Sequence, residues 1–237
     1  MKAHAIIVAG GKGRRAGGET PKQRQVLRGN LVYQWSVSAF IRHSRIEQIV
    51  LVVPASDLDQ YAREMSGIPV KVVSGGTERT DSVLNGLQAL EAGVDDAVLI
   101  HDAARPGLEH ATISALIDSL KNADAAAPAL GMVDALKRQS GDTLTSVDRD
   151  GLYRVQTPQS FRYGAICKAL NAADEALVDD LTAIEHQGGR VALVAGDEKL
   201  AKITFPGDLD RMERLIAPVT TLPRIGTGFD VHAFGEG

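Results

Sequence analysis

What most restricts the fold of this chain is a series of short, nearly unbroken apolar runs, each followed by a segment with helical spacing. Ala5-Ile6-Ile7-Val8, Ile49 to Val53, Val70 to Val73 and Ala97 to Ile100 are rich in β-branched residues and show almost no polar alternation. A strand with one wet face alternates, whereas a strand covered on both faces does not, so these runs read as buried parallel strands. Between them, Leu31 to His43, Asp57 to Met65 and Asp81 to Glu91 carry apolar residues at helical intervals. Strand–helix alternation of this kind predicts an α/β fold, an open and mostly parallel sheet flanked by helices. Ligands of such sheets bind beyond the carboxyl ends of the strands, so the chemistry is expected in the segments that follow each run.

The pattern changes over about 133–156. Leu136-Lys137-Arg138, Gly141-Asp142, Thr143 to Val147, and Asp150-Gly151 before Leu152 to Val155 read as short strands joined by tight turns. A hairpin excursion projects from a sheet as a β-arm with exposed edges, and covering those edges with a second copy predicts a homodimer. Further on, helices are expected from Arg162 to about Ala173 and from Asp179 to His186, with a strand at Val191 to Val194. Lys202-Ile203-Thr204 reads as a last strand, and Pro206-Gly207-Asp208 opens a final helix to Ile216. Ala217 to Pro223 then has the composition of a linker, and the chain is expected to divide into a domain over 1–222 and a short remainder over 223–237.

Net charge is −4, so nothing global points to nucleic acid, and any attraction for phosphate must be local. The single cysteine, Cys167, excludes an internal disulfide or a multi-cysteine metal cluster and suits a reducing cytoplasm. The first apolar run is far too short for a signal segment or a membrane span.

The local exception follows the first run. Ala9-Gly10-Gly11-Lys12-Gly13-Arg14-Arg15 leads to Pro21-Lys22, and Lys12 to Arg28 also includes Arg24 against one acid, Glu19. Glycines at a strand end let successive N–H groups form an anion cradle, and the surplus of lysine and arginine there points to polyphosphate. The Walker pattern fails, because Gly18-Glu19 stands where Gly-Lys should. The dinucleotide pattern fits through Gly11, Gly13 and Ala16, but the second strand ends in Val53-Pro54-Ala55 without the ribose-binding acid.

Ala9-Gly10-Gly11-x-Gly13-x-Arg15 with Pro21-Lys22-Gln23 resembles the signature of sugar-nucleotide and polyol-phosphate nucleotidyltransferases. Ser74-Gly75-Gly76-x-x-Arg79-x-x-Ser82-Val83, His101 to Pro106, Val147-Asp148-Arg149, Gln156 to Gln159 and Lys202-Ile203-Thr204 narrow the resemblance to the 2-C-methyl-D-erythritol 4-phosphate cytidylyltransferases. That resemblance implies transfer of CMP from CTP to 2-C-methyl-D-erythritol 4-phosphate in non-mevalonate isoprenoid synthesis; a polyol phosphate such as ribitol phosphate is the alternative acceptor. It implies catalytic roles for Arg15, Lys22, Arg149 and Lys202, and nucleotide contacts from Ala9, Gly10, Gly11, Gly13, Gly76, Ser82 and Asp102. For the acceptor it implies Asp102, Arg105, Arg149, Thr157 and Lys202, with Arg149 reaching a partner's site in a dimer. Mg²⁺ on the triphosphate is expected, with Asp102 its protein ligand. Ala135, Leu200, Gly207 and Thr77 depart from the family pattern. Arg224 to His232 resembles the opening of the 2-C-methyl-D-erythritol 2,4-cyclodiphosphate synthases, in which Asp230 and His232 would be two ligands of an incomplete zinc site. The resemblance therefore implies the front part of a bifunctional protein.

Overall fold

The computed structural model describes residues 1–10, 20–173, 177 and 179–216; Gly11, Gly13, Arg15, Asp230 and His232 lie outside the described residues. In chain order come β1 (Ala3–Val8), β2 (Val26–Leu27), β3 (Asn30–Leu31), α1 (Val32–Ile41), β4 (Ile46–Val53), α2 (Leu58–Glu64), β5 (Lys71–Ser74), α3 (Arg79–Gln88), β6 (Ala97–Asp102) and α4 (His110–Ser119). The second half adds β7 (Ala125–Gly131), β8 (Leu136–Ser140), β9 (Thr143–Val147), β10 (Tyr153–Val155), β11 (Gln159–Arg162), α5 (Tyr163–Asn171), α6 (Asp180–His186), β12 (Val191–Ala195) and α7 (Asp208–Leu215).

The central sheet runs β10-β7-β11-β6-β1-β4-β5, with β12 paired to the other edge of β7. Strands β5, β4, β1 and β6 are mutually parallel, and their side chains alternate between two apolar layers. Ile7, Leu51 and Leu99 face α1, α2 and α4, whereas Ile6, Val52 and Ile100 face α3, α5 and α6. Both faces being buried is why these strands lack polar alternation. Helix α3 approaches closely through Gly86, where an added Cβ would stand 2.7 Å from Ile6 Cγ2 and 3.0 Å from Val52 Cγ2.

The structure differs from the expected elements at five places. β11 lies antiparallel between β6 and β7, in the middle of the sheet, where no strand was expected. β7 itself, Ala-Ala-Ala-Pro-Ala-Leu-Gly, and helix α4 were also unanticipated. The arm proper is the isolated hairpin β8–β9, while β10 returns to pair with β7 in the main sheet. Lys202-Ile203-Thr204 forms no strand. Its Ile203 N–H donates to the Ala104 carbonyl at 2.9 Å and its Thr204 N–H to Asp208 Oδ2 at 2.8 Å, so it is pinned to the loop after β6. A small apolar cluster of Leu27, Val32, Ile203 and Met212 ties this segment and α7 to the β2–β3 hairpin.

Candidate active site

The parallel strands stop in step, and the backbone just beyond them is cross-linked. The Ala9 N–H donates to the Val52 carbonyl at 2.7 Å, Gly75 N–H to Val53 at 2.7 Å, and Ala103 N–H to Val8 at 3.0 Å. Residues 9–10, 75–76 and 102–104 are thereby brought side by side around an open cleft. Ala9, Gly10, Gly76, Ser82 and Asp102 line it, together with Lys22 and Lys202 from elsewhere in the chain.

Lys22 reaches the cleft from a one-turn 3-10 helix, Lys22–Arg24, that is fixed on both sides. The buried Gln23 donates through Nε2 to the Ala9 carbonyl at 2.8 Å. Arg24 grips Glu64 of α2 with both terminal nitrogens, at 3.1 and 2.6 Å, and the Tyr33 hydroxyl donates to the same carboxylate at 2.6 Å. This corrects the reading of the whole basic run as phosphate-binding. Arg24 closes a structural ion pair, and Arg28 donates to the Glu213 carbonyl of α7 at 3.0 Å.

Asp102 is the charged centre of the cleft. Its Oδ2 accepts from Lys202 Nζ at 2.8 Å and from Arg105 Nε at 3.3 Å, and its Oδ1 lies 3.8 Å from Arg79 Nη2. Burial alone would push this carboxyl up, but Lys202, Arg79 and Arg105 outweigh that and hold it well below the usual carboxylate range. Asp102 is thus an anion at any physiological pH. Arg105 in turn donates from Nη1 to the Leu200 carbonyl at 2.7 Å, binding the loop after β6 to the Lys202 segment. Burial lowers the Arg105 pKa.

Thr157 differs from expectation. Its hydroxyl is buried behind the cleft wall, where Oγ1 accepts from the Asp102 N–H at 3.1 Å and lies 3.0 Å from His101 Nδ1. His101 Nε2 faces the Arg105 carbonyl at 3.1 Å and must donate to it, so Nδ1 accepts the Thr157 proton. Burial holds the imidazole down to about 4, which keeps it neutral in that tautomer. The hydroxyl is occupied on both sides; its described bonds brace Asp102 and leave no hydrogen for a ligand.

Ser82 Oγ accepts from Gly76 N–H and donates to the Glu78 carbonyl, both at 3.1 Å, closing the turn that leads into α3. A Cβ at Gly76 would meet Asp81 Cβ at 2.2 Å, so the turn admits only glycine. Arg149 does not join the cleft. It is exposed on the arm, and its Nη1 donates to the Val133 carbonyl. In the sequence, Arg79, Gln23 and His101 stand only as members of motifs, and Asp180 falls unmarked inside the helix expected from Asp179 to His186. None was given a role, because the contacts that reveal one span long separations; Arg79 and Asp180 are 101 residues apart.

The family model for 2-C-methyl-D-erythritol 4-phosphate cytidylyltransferase matches residues 3–217. The chain belongs to that family. It is 53% identical over 235 residues to a bifunctional enzyme IspD/IspF of Hyphomonas neptunium, covering 98% of this chain and 61% of the relative. It is 46% identical over 219 residues to the 2-C-methyl-D-erythritol 4-phosphate cytidylyltransferase of Roseobacter denitrificans, covering 91% and 97%. A crystal structure of a 4-diphosphocytidyl-2C-methyl-D-erythritol synthase superposes with a TM-score of 0.78 at 30% identity, covering 90% of this chain and 98% of that one. The chain thus spans about three fifths of the length of the bifunctional relative. The mixed, mostly parallel sheet agrees with that family. Among the described residues no helix is long and apolar enough to cross a membrane, and no three His, Cys, Asp or Glu side chains cluster as metal ligands.

Proposed function

We propose that the cleft transfers CMP from CTP to 2-C-methyl-D-erythritol 4-phosphate, releasing pyrophosphate and 4-diphosphocytidyl-2-C-methyl-D-erythritol. The observation that carries this reading is the meeting of Lys22 and Lys202 at one cleft whose walls are the glycine-bearing strand ends and whose centre is Asp102. An oxygen of the acceptor phosphate attacks the α-phosphorus of CTP in line with the departing pyrophosphate. The protein's task is to crowd two anions together and neutralise them. Lys22 and Arg15 serve the triphosphate, the backbone of Ala9, Gly10, Gly11 and Gly13 cradles it, and Lys202 and Arg149 position the acceptor. Gly76, with the turn that Ser82 closes, presents backbone groups to cytosine. No general base is needed, because a phosphate monoester is already ionised near neutral pH.

A divalent cation fits this donor set. Mg²⁺ takes most of its ligands from substrate phosphates and water, and the permanently ionised Asp102 is the buried carboxylate placed to add one. Bound there, the ion would neutralise triphosphate charge. Residues 1–222 form the transferase unit and 223–237 begin a second one carrying Asp230 and His232 of a zinc site, a division that the partial coverage of the bifunctional relative supports. We further read the chain as a cytoplasmic homodimer joined through the β-arm. Val133 and Leu144 on the arm and Leu152 and Tyr153 at its base are exposed apolar residues that a second copy would cover. That contact would carry Arg149 to the partner's cleft.

The decisive assay is pyrophosphate release from CTP and Mg²⁺ with the methylerythritol phosphate, against ATP, GTP and UTP. Release that requires both CTP and this acceptor supports the reading. Release with ribitol phosphate instead would move the assignment to a related cytidylyltransferase, and silence with both would refute transfer.

A further inference from the structure

Two adjacent acids, Asp179 and Asp180, open α6 and do different things. Asp179 caps the helix, its Oδ1 accepting from the Thr182 N–H at 3.1 Å and the Thr182 hydroxyl at 3.0 Å, while its Oδ2 accepts from Gln159 Nε2 at 2.9 Å. Asp180 turns inward and is 1% exposed. Its Oδ1 accepts from Arg79 Nη1 at 2.7 Å, while its Oδ2 has no hydrogen-bond partner among the described residues. The same helix otherwise buries Leu181, Ala183 and Ile184 in the apolar layer beneath the sheet. A half-satisfied carboxylate in such a place is costly, and an apolar side chain would pack there at no such cost. Its retention calls for a purpose outside folding.

Arg79 supplies one. It is the first residue of α3 and lines the cleft, and its second terminal nitrogen faces Asp102. A single planar guanidinium therefore spans from α6 to the carboxyl end of β6. Asp180 engages one end of the fork, which fixes the direction of the other. Arg79, Arg105 and Lys202 stand against Asp102 and Asp180, and Asp179 lies close enough to act on Arg79 as well, so Arg79 is held between acids on both sides.

We propose that Asp180 is a positioning residue for the transfer site: by fixing Arg79 from behind, it sets the orientation of that guanidinium toward Asp102 and toward a nucleotide phosphate in the cleft. The inference rests on the reading of the cleft as a CTP site. Asp180→Asn keeps shape and one acceptor but removes the charge, and Asp179→Asn serves as the structural control. For Asp180→Asn we expect kcat/KM for CTP to fall about tenfold or more at little cost in melting temperature. Asp179→Asn removes a neighbouring charge but keeps the cap, since asparagine accepts there as well as aspartate, so it should leave the melting temperature nearly unchanged and kcat/KM for CTP within about twofold. Because Asp180 acts through Arg79, the Arg79→Gln/Asp180→Asn double variant should be no worse than Arg79→Gln alone, within about twofold. Losses that multiply in the double variant, or an Asp180→Asn enzyme that melts early with unchanged kinetics, would overturn the proposal. Asp180→Ser is read by the same criteria if the amide does not fold. Arginine side-chain ¹⁵N NMR gives a reading independent of turnover. The slowly exchanging Arg79 guanidinium signal should be lost in Asp180→Asn and kept in Asp179→Asn; its persistence in Asp180→Asn overturns the proposal. A wild-type chain silent with CTP would sink the nucleotide reading, while the NMR comparison would still decide whether Asp180 holds Arg79.

Discussion

A carboxylate gripped by three cations is the kind of residue whose neighbours matter more than its own type. Lys202 is the closest partner of Asp102 and, in the proposed reaction, meets the acceptor phosphate. Lys202→Ala should therefore lower kcat/KM for the acceptor by about 10²-fold, with a smaller effect on CTP, measured in a two-substrate kinetic matrix. Lys22→Ala, on the triphosphate side, should instead depress kcat by about 10²–10³-fold. A variant of either kind with wild-type kinetics would remove that lysine from the mechanism. His101 offers a test by pH. Its folded-state value of about 4 lies below the ordinary 6.5 of an unfolded chain, so the unfolded state binds more protons between those limits. Its contribution to stability is whole above pH 6.5 and is lost as pH falls toward 4, about 3 kcal/mol in all. Imidazole NMR should show His101 neutral with the proton on Nε2 down to about pH 5; titration near 6.5 would contradict the dry burial of the imidazole.

Elements place these residues, and their legibility in sequence followed from how they are buried. Strands β1, β4 and β6 were readable because two covered faces leave an unbroken apolar run. β7 was not, since alanine has little strand preference and Pro128 interrupts the run; only its pairing with β10, β11 and β12 makes it a strand. β11 hides behind Gln159 and Ser160, polar residues that are buried because the Ser160 hydroxyl finds the Leu116 and Ala126 carbonyls. The site divides in the same way. Glycines and basic residues mark the strand ends, but nothing local tells that Arg24 closes an ion pair with Glu64 while Lys22 lines the cleft. Helix α3 carries its own test. Gly86→Ala would gain about 1 kcal/mol of helix propensity, yet the new methyl would meet Ile6 and Val52. Overpacking costs about 1–3 kcal/mol, so a net loss in urea stability is expected. A stabilised variant would mean that α3 can lift from the sheet without penalty.

At the scale of the whole molecule, the dimer reading makes the arm the assembly device. Charging its apolar surface with Leu144→Asp should yield a monomer by light scattering; an unchanged mass would place the interface elsewhere. If Arg149 acts across that interface, the monomer should also lose acceptor turnover while still binding CTP. The strand that leaves for the arm and the strand that returns from it are neighbours: Gly131 pairs with Tyr153, and the Met132 N–H donates to the Leu152 carbonyl at 3.1 Å. The excursion thus begins and ends at one point on the sheet edge, as a detachable module would. A two-residue turn grafted between those positions should let an armless chain fold as before, and swapping arms between relatives should re-route which subunits recognise one another without rewriting the catalytic body.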